Sequence, residues 1–160
     1  MKIVFYSSPL IFLSRLDFLE KFIHNDRQFY LPSGVQLEIS AKQDRYSDDI
    51  NRLSLNHQLV VKEIRLISLA NRLNERLGRG ESEAISLAID LQADYIIIDD
   101  FAARKEAMRL GLNVKGTLAV IRKLQLEGQI NISDFDILYQ RITEINFRVK
   151  REIFDNIFAD

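Results

Sequence analysis

Tyr95-Ile96-Ile97-Ile98 is an unbroken apolar run, β-branched at three successive positions and followed directly by Asp99-Asp100. Side chains alternate between the two faces of a strand, so a run that is apolar at every position needs both faces covered. It therefore predicts a central strand of a parallel sheet with helices on either side. Other strand candidates, Ile3 to Tyr6, Gln28 to Leu31, Leu59 to Ile64 and Asn113 to Lys115, alternate with helix-patterned segments. The β-α-β-α alternation predicts an α/β fold: a three-layer arrangement with a central parallel sheet of about five strands.

Local signals place the helices. Ser8 as cap and Pro9 at the first position open a helix through Leu10, Leu13, Leu16 and Leu19 to about Phe22. Ser33 with Gln36 has the form of a capping box and opens a helix that carries Glu38. Further helices are expected over Asp44 to Asn56, Leu66 to Leu77, Glu81 to about Gln92 and Thr117 to Glu127. The tail from Asp134 is helical, and Ile153, Phe154, Ile157 and Phe158 stripe its last helix. Such a stripe closes a core, or forms a seam to a partner or a second copy.

With 2 prolines and 6 glycines in 160 residues there is no room for a flexible linker, so residues 1–160 are read as a single domain. The 22 Lys and Arg against 23 Asp and Glu exclude a broadly basic nucleic-acid binder. The absence of cysteine excludes disulfides, thiol catalysis and thiolate metal sites. His24 and His57, far apart in sequence, do not suggest a histidine-built zinc site. Charged residues from Arg15 onward break the early apolar run, so neither a signal peptide nor a membrane span is expected, and the chain reads as cytoplasmic.

In open α/β sheets ligands collect outside the carboxyl ends of the strands. Tyr6, Ser7 and Ser8 follow the first strand, Glu38 the second, Asp99 and Asp100 the fourth, and Thr117 the fifth. Glu81 and Glu83 open a crossover helix. Carboxylates gathered on one edge, without thiols or clustered imidazoles, suit Mg²⁺ or Mn²⁺. Each also has a plainer use. Glu81 and Glu83 can favour a helix macrodipole, Asp99-Asp100 can start a turn or cap a helix, and Arg104 can pair with Asp100 four residues earlier. Gly78-Arg79-Gly80 is not a dinucleotide fingerprint, because Glu83 stands where the third glycine belongs and a helix pattern precedes it.

Taken together, these residues resemble a known family. Gly80-Glu81-Ser82-Glu83-Ala84, Ile98-Asp99-Asp100 with Arg104 and Ala107, Gly111-Leu112 and Gly116-Thr117-Leu118 are similar, in that order, to a PIN-like domain. Ser7-Ser8-Pro9-Leu10-Ile11 and Leu31 to Glu38 fit the same pattern, closest to a prokaryotic nucleic-acid-binding branch related to toxin ribonucleases. The resemblance implies a divalent-metal-dependent ribonuclease using Mg²⁺ or Mn²⁺, the toxin of a toxin–antitoxin pair. Glu38, Glu81, Glu83 and Asp100 become catalytic and metal-binding candidates, with Asp99 as a further metal ligand. Ser7, Ser8, Arg104, Lys115 and Thr117 become candidates for contact with nucleic acid. The implied partners are single-stranded RNA, a small antitoxin protein and a second copy of the chain. One position departs from the pattern: Tyr6 stands where the family's first strand usually ends in Asp or Asn. A phenol, with an ordinary pKa near 10, is a poor replacement for a carboxylate. The alternative reading is thus a catalytically impaired module that binds nucleic acid or protein.

Overall fold

The computed structural model describes residues 1–23 and 27–159; His24, considered above as a possible imidazole, and Asp160, the last residue of the expected domain, lie outside them. The elements in chain order are β1 (Lys2–Phe5), α1 (Ser7–Arg15), α2 (Leu19–Phe22), β2 (Gln28–Pro32), α3 (Ser33–Ser40), α4 (Arg45–Leu55) and β3 (Val60–Lys62). They continue with α5 (Ile67–Leu73), α6 (Arg79–Asp90), β4 (Tyr95–Ile97), α7 (Phe101–Arg109), β5 (Val114–Lys115), α8 (Thr117–Leu126), α9 (Phe135–Glu144) and α10 (Arg151–Phe158).

The five strands form one sheet in the order β3-β2-β1-β4-β5, every pairing parallel. Val4 of β1 is in register with Tyr30 of β2 on one side and with Ile96 of β4 on the other. Successive strands run outward from β1 to β3, and the chain then returns to the opposite side of β1. That reversal opens a crevice beyond the carboxyl ends of β1 and β4, where open sheets of this type bind ligands.

Strand alternation divides the core. Ile3, Phe5, Phe29, Leu31, Tyr95 and Ile97 point into one cluster, closed by α1 to α4 and α8 to α10; Val4, Tyr30, Ile96 and Ile98 point into another, closed by α5, α6 and α7. Ile96, Ile97 and Ile98 are fully buried, as a strand covered on both faces requires. In the tail, Phe154 and Phe158 are buried and Ile157 packs beside them, while Ile153 stays half exposed; the stripe closes the core.

Several boundaries differ from the sequence expectation. The first helix stops at Arg15, because Asp17 takes a left-handed conformation (φ 61°) and the Phe18 amide turns back to the Leu13 carbonyl. Ser8 lies inside α1, whose cap position is Tyr6. Pro32, not Ser33, caps α3, and Gln36 reaches Ser40 and Asn51 instead of closing a capping box. The α5 helix ends at Leu73, and α6 begins at Arg79 after Gly78. Among the described residues, no helix is long and apolar enough to cross a membrane.

Candidate functional site

Two glycines bring the acidic elements together. A Cβ on Gly80 of α6 would stand 3.1 Å from both carboxylate oxygens of Glu38 and 2.5 Å from the Tyr6 ring. A Cβ on Gly34 of α3 would stand 2.6 Å from a carboxylate oxygen of Glu83. Each helix therefore seats its own glutamate on the other's bare backbone, Glu38 over Gly80 and Glu83 over Gly34. Gly80 is buried, and any larger residue there would have to displace the Tyr6 ring and the Glu38 carboxylate.

The electrostatics record the crowding. Burial, foremost, and then the charges of Glu81 and Glu83 raise the pKa of Glu38 above the ordinary carboxylate value; Lys42 offsets this in part. Tyr6 closes the group. Its phenol is pushed well up, first by burial and then by its hydrogen bond to Glu81 and the charges of Glu81 and Glu38, with Ser7 pulling the other way. The phenol is therefore protonated and acts as a donor toward Glu81.

Asp99 forms a second grouping on the same edge. Its Oδ1 accepts from the Thr117 amide at 2.8 Å and its Oδ2 from the Thr117 hydroxyl at 2.5 Å. Burial raises its pKa, opposed by those hydrogen bonds and by the nearby Arg104 charge. Arg104 itself donates to the Ile98 carbonyl at 3.0 Å, and no ion pair between it and Asp100 is formed among the described residues. The exposed Asp100 caps α7, accepting from the Ala103 amide at 3.0 Å. The capping reading of Asp100 and the site reading of Asp99 thus separate within one dipeptide.

Of the remaining candidates, Ser7 is buried and Ser8 half buried in the first turn of α1, at the crevice. Thr117 is buried and engaged with Asp99. Lys115 lies apart from the glutamates and lines a cavity with Phe22, Tyr95 and Val120. Arg79 makes the pairing its spacing allows, with Glu83 four residues on at 3.5 Å. Sequence reasoning missed Gly34 as Glu83's seat, because that contact joins two helices distant in the chain.

In donor type and charge these residues fit a hard divalent cation: carboxylates facing one another, one with a raised pKa that a cation would relieve. As they stand, no three acidic or imidazole side chains among the described residues are close enough to share one ion.

A five-stranded parallel sheet with an acidic crevice at its strand-order reversal defines a class of α/β domains suited to binding phosphate-bearing ligands with a metal. A family model described as a PIN domain matches residues 2–160, and the chain belongs to that family. Membership points to nuclease-type function, nucleic-acid binding and use of divalent metal in general. No individual curated protein matches the chain.

Proposed function

We propose that this PIN domain is a divalent-metal-dependent ribonuclease that hydrolyses phosphodiester bonds of single-stranded RNA in the cytoplasm. The observation that carries the reading is the reciprocal seating of Glu38 and Glu83, which crowds Glu38, Glu81 and Glu83 at the crevice. Drawn closer than they stand, those glutamates would hold Mg²⁺ or Mn²⁺, with Asp99 on the neighbouring strand end. Bound there, the ion would supply Lewis-acid chemistry and charge neutralisation at the scissile phosphate. Asp99 is fixed in orientation by Thr117, and Ser7 and Ser8 supply hydroxyls at the crevice wall. Arg79, with a side chain 73% exposed, can turn a guanidinium edge to the RNA backbone. Phe101, 79% exposed and next to Asp100, offers a ring on which a base can stack.

In its fuller form the reading makes the chain a toxin held in check by a small protein. The exposed Leu37 and Phe101, adjacent in sequence to Glu38 and Asp100, give such a partner apolar contacts close to the candidate acids. With most of the tail stripe inside the core, a second copy would find chiefly Ile153 of that stripe.

The test is cleavage of a mixed single-stranded RNA pool in Mg²⁺ and in Mn²⁺ by the parent and by Glu81→Gln. The reading expects metal-dependent cleavage that falls on the order of 10²-fold in the variant. The Tyr6 phenol among the glutamates favours the impaired-module reading. In that case the parent binds RNA without cutting it, and Tyr6→Asp gains metal-dependent cleavage.

A further inference from the structure

Beside the glutamates, between α5 and the start of α6, lies a cavity of about 200 Å³ lined by Ile64, Ile67, Asn71, Asn74, Arg79 and Glu83. Glu83 and Arg79 belong both to this cavity and to the rim of the acidic crevice, so the two spaces are continuous in their walls. Its volume falls short of the roughly 300–1,000 Å³ of pockets that enclose drug-sized ligands, and suits one flat heterocycle.

The lining is mixed in a specific way. Ile64 and Ile67 supply apolar wall, and Ile67 is 58% exposed. Asn71 and Asn74, three residues apart, stand on one face of the α5 end. Neither amide has a side-chain hydrogen-bond partner among the described residues. An amide presents a donor and an acceptor side by side, the pattern that pairs with the amino group and ring nitrogen of adenine. Single-stranded RNA is read in this manner, by bases turned out of the stack into apolar slots with polar edges. Arg79 lines this slot beside Glu83, with which it pairs at 3.5 Å, and its exposed guanidinium can meet a phosphate joining the slotted nucleotide to the next.

We infer that this cavity is a base subsite that seats an adenine of single-stranded RNA beside the bond to be cut, with Asn71 and Asn74 reading the base edge and Ile64 and Ile67 packing on its ring. The inference rests on the RNA reading above and gives that site a sequence preference. Asn71 and Asn74 are exposed on a short helix, and alanine there suits the helical backbone, so the variants should fold.

The test is binding, not cleavage. Fluorescence anisotropy would be recorded in EDTA with labelled oligo-A and oligo-U of equal length, for the parent and for Asn71→Ala/Asn74→Ala. We expect the parent to bind oligo-A at least about fivefold more tightly, and the double variant to lose that difference while still binding oligo-U as the parent does. Equal affinity of the parent for both oligomers, or a preference that survives in the double variant, overturns the subsite while leaving the RNA reading standing. No binding of either oligomer by the parent also overturns the subsite, while the RNA reading is judged by the metal-dependent cleavage test above.

Discussion

Glu38 is harder to ionise in the folded chain than in the unfolded one, because its carboxyl loses water and then because Glu81 and Glu83 face it. Between its ordinary value of 4.5 and the raised folded value, the folded state holds more protons than the unfolded state. Stability therefore falls as pH rises through that window, and the penalty persists above it. Glu38→Gln removes the penalty. Discounted for the exposure of this side chain, the gain is about 0.5 kcal/mol, or roughly 1–2 °C in Tm at pH 7, and absent at pH 4. Thermal melts of both proteins without metal check this; a variant less stable at pH 7 would contradict the crowding. Added Mn²⁺ should stabilise the parent and not Glu38→Gln. Phe101→Ala carries a separate expectation. Loss of one stacked base costs about 1–3 kcal/mol, a five- to 150-fold weaker affinity for single-stranded RNA with stability unchanged. Unaltered affinity would remove Phe101 from the RNA path.

At the scale of elements, Asp100 caps α7 and Phe154 anchors α10. Asp100→Ala should cost about 1 kcal/mol, visible as a fall of roughly 2–4 °C in Tm. Asp100→Ser keeps a capping oxygen and removes the carboxylate, so it separates the two uses: restored stability with undiminished cleavage assigns Asp100 to the helix alone, and restored stability with lost cleavage assigns it to the site. Phe154, fully buried among Phe135, Tyr139 and Phe158, should cost about 3–5 kcal/mol when cut to alanine, read by urea unfolding. The helices themselves were legible from their apolar spacing, but their caps less so. Ser8 and Ser33 carry cap chemistry, yet each lies within its helix: α1 starts at Ser7 behind Tyr6, and α3 starts at Ser33 directly behind Pro32, the last residue of β2. The break at Asp17 had no sequence signal, since only the φ of 61° taken there reveals it.

For the whole molecule, the isoleucine run of β4 carried most of the fold: full burial on both faces leaves little besides a parallel sheet between helical layers. The resulting strand ends placed Tyr6, Glu38, Asp99 and Thr117 on one edge before any geometry was known. Which acids face one another was not legible. Glu83 meets Gly34 and Glu38 meets Gly80 only when α3 packs on α6, and the Asn71 and Asn74 cavity forms only when α5 and α6 close on each other. Tyr6 could be seen as a departure at its position, but its hydrogen bond to Glu81 follows from the fold.

On the proposed reading, Tyr6 is the position where a change should alter metal binding most. The direct measurement is calorimetric titration of Mn²⁺ into the parent, Tyr6→Asp and Glu81→Gln. Replacing the neutral phenol by a carboxylate should tighten binding at least about tenfold, equal to about 1.4 kcal/mol, with weak binding in the parent and a further loss in Glu81→Gln. No Mn²⁺ binding by either the parent or Tyr6→Asp, or equal affinity in all three proteins, would contradict a metal site at these glutamates.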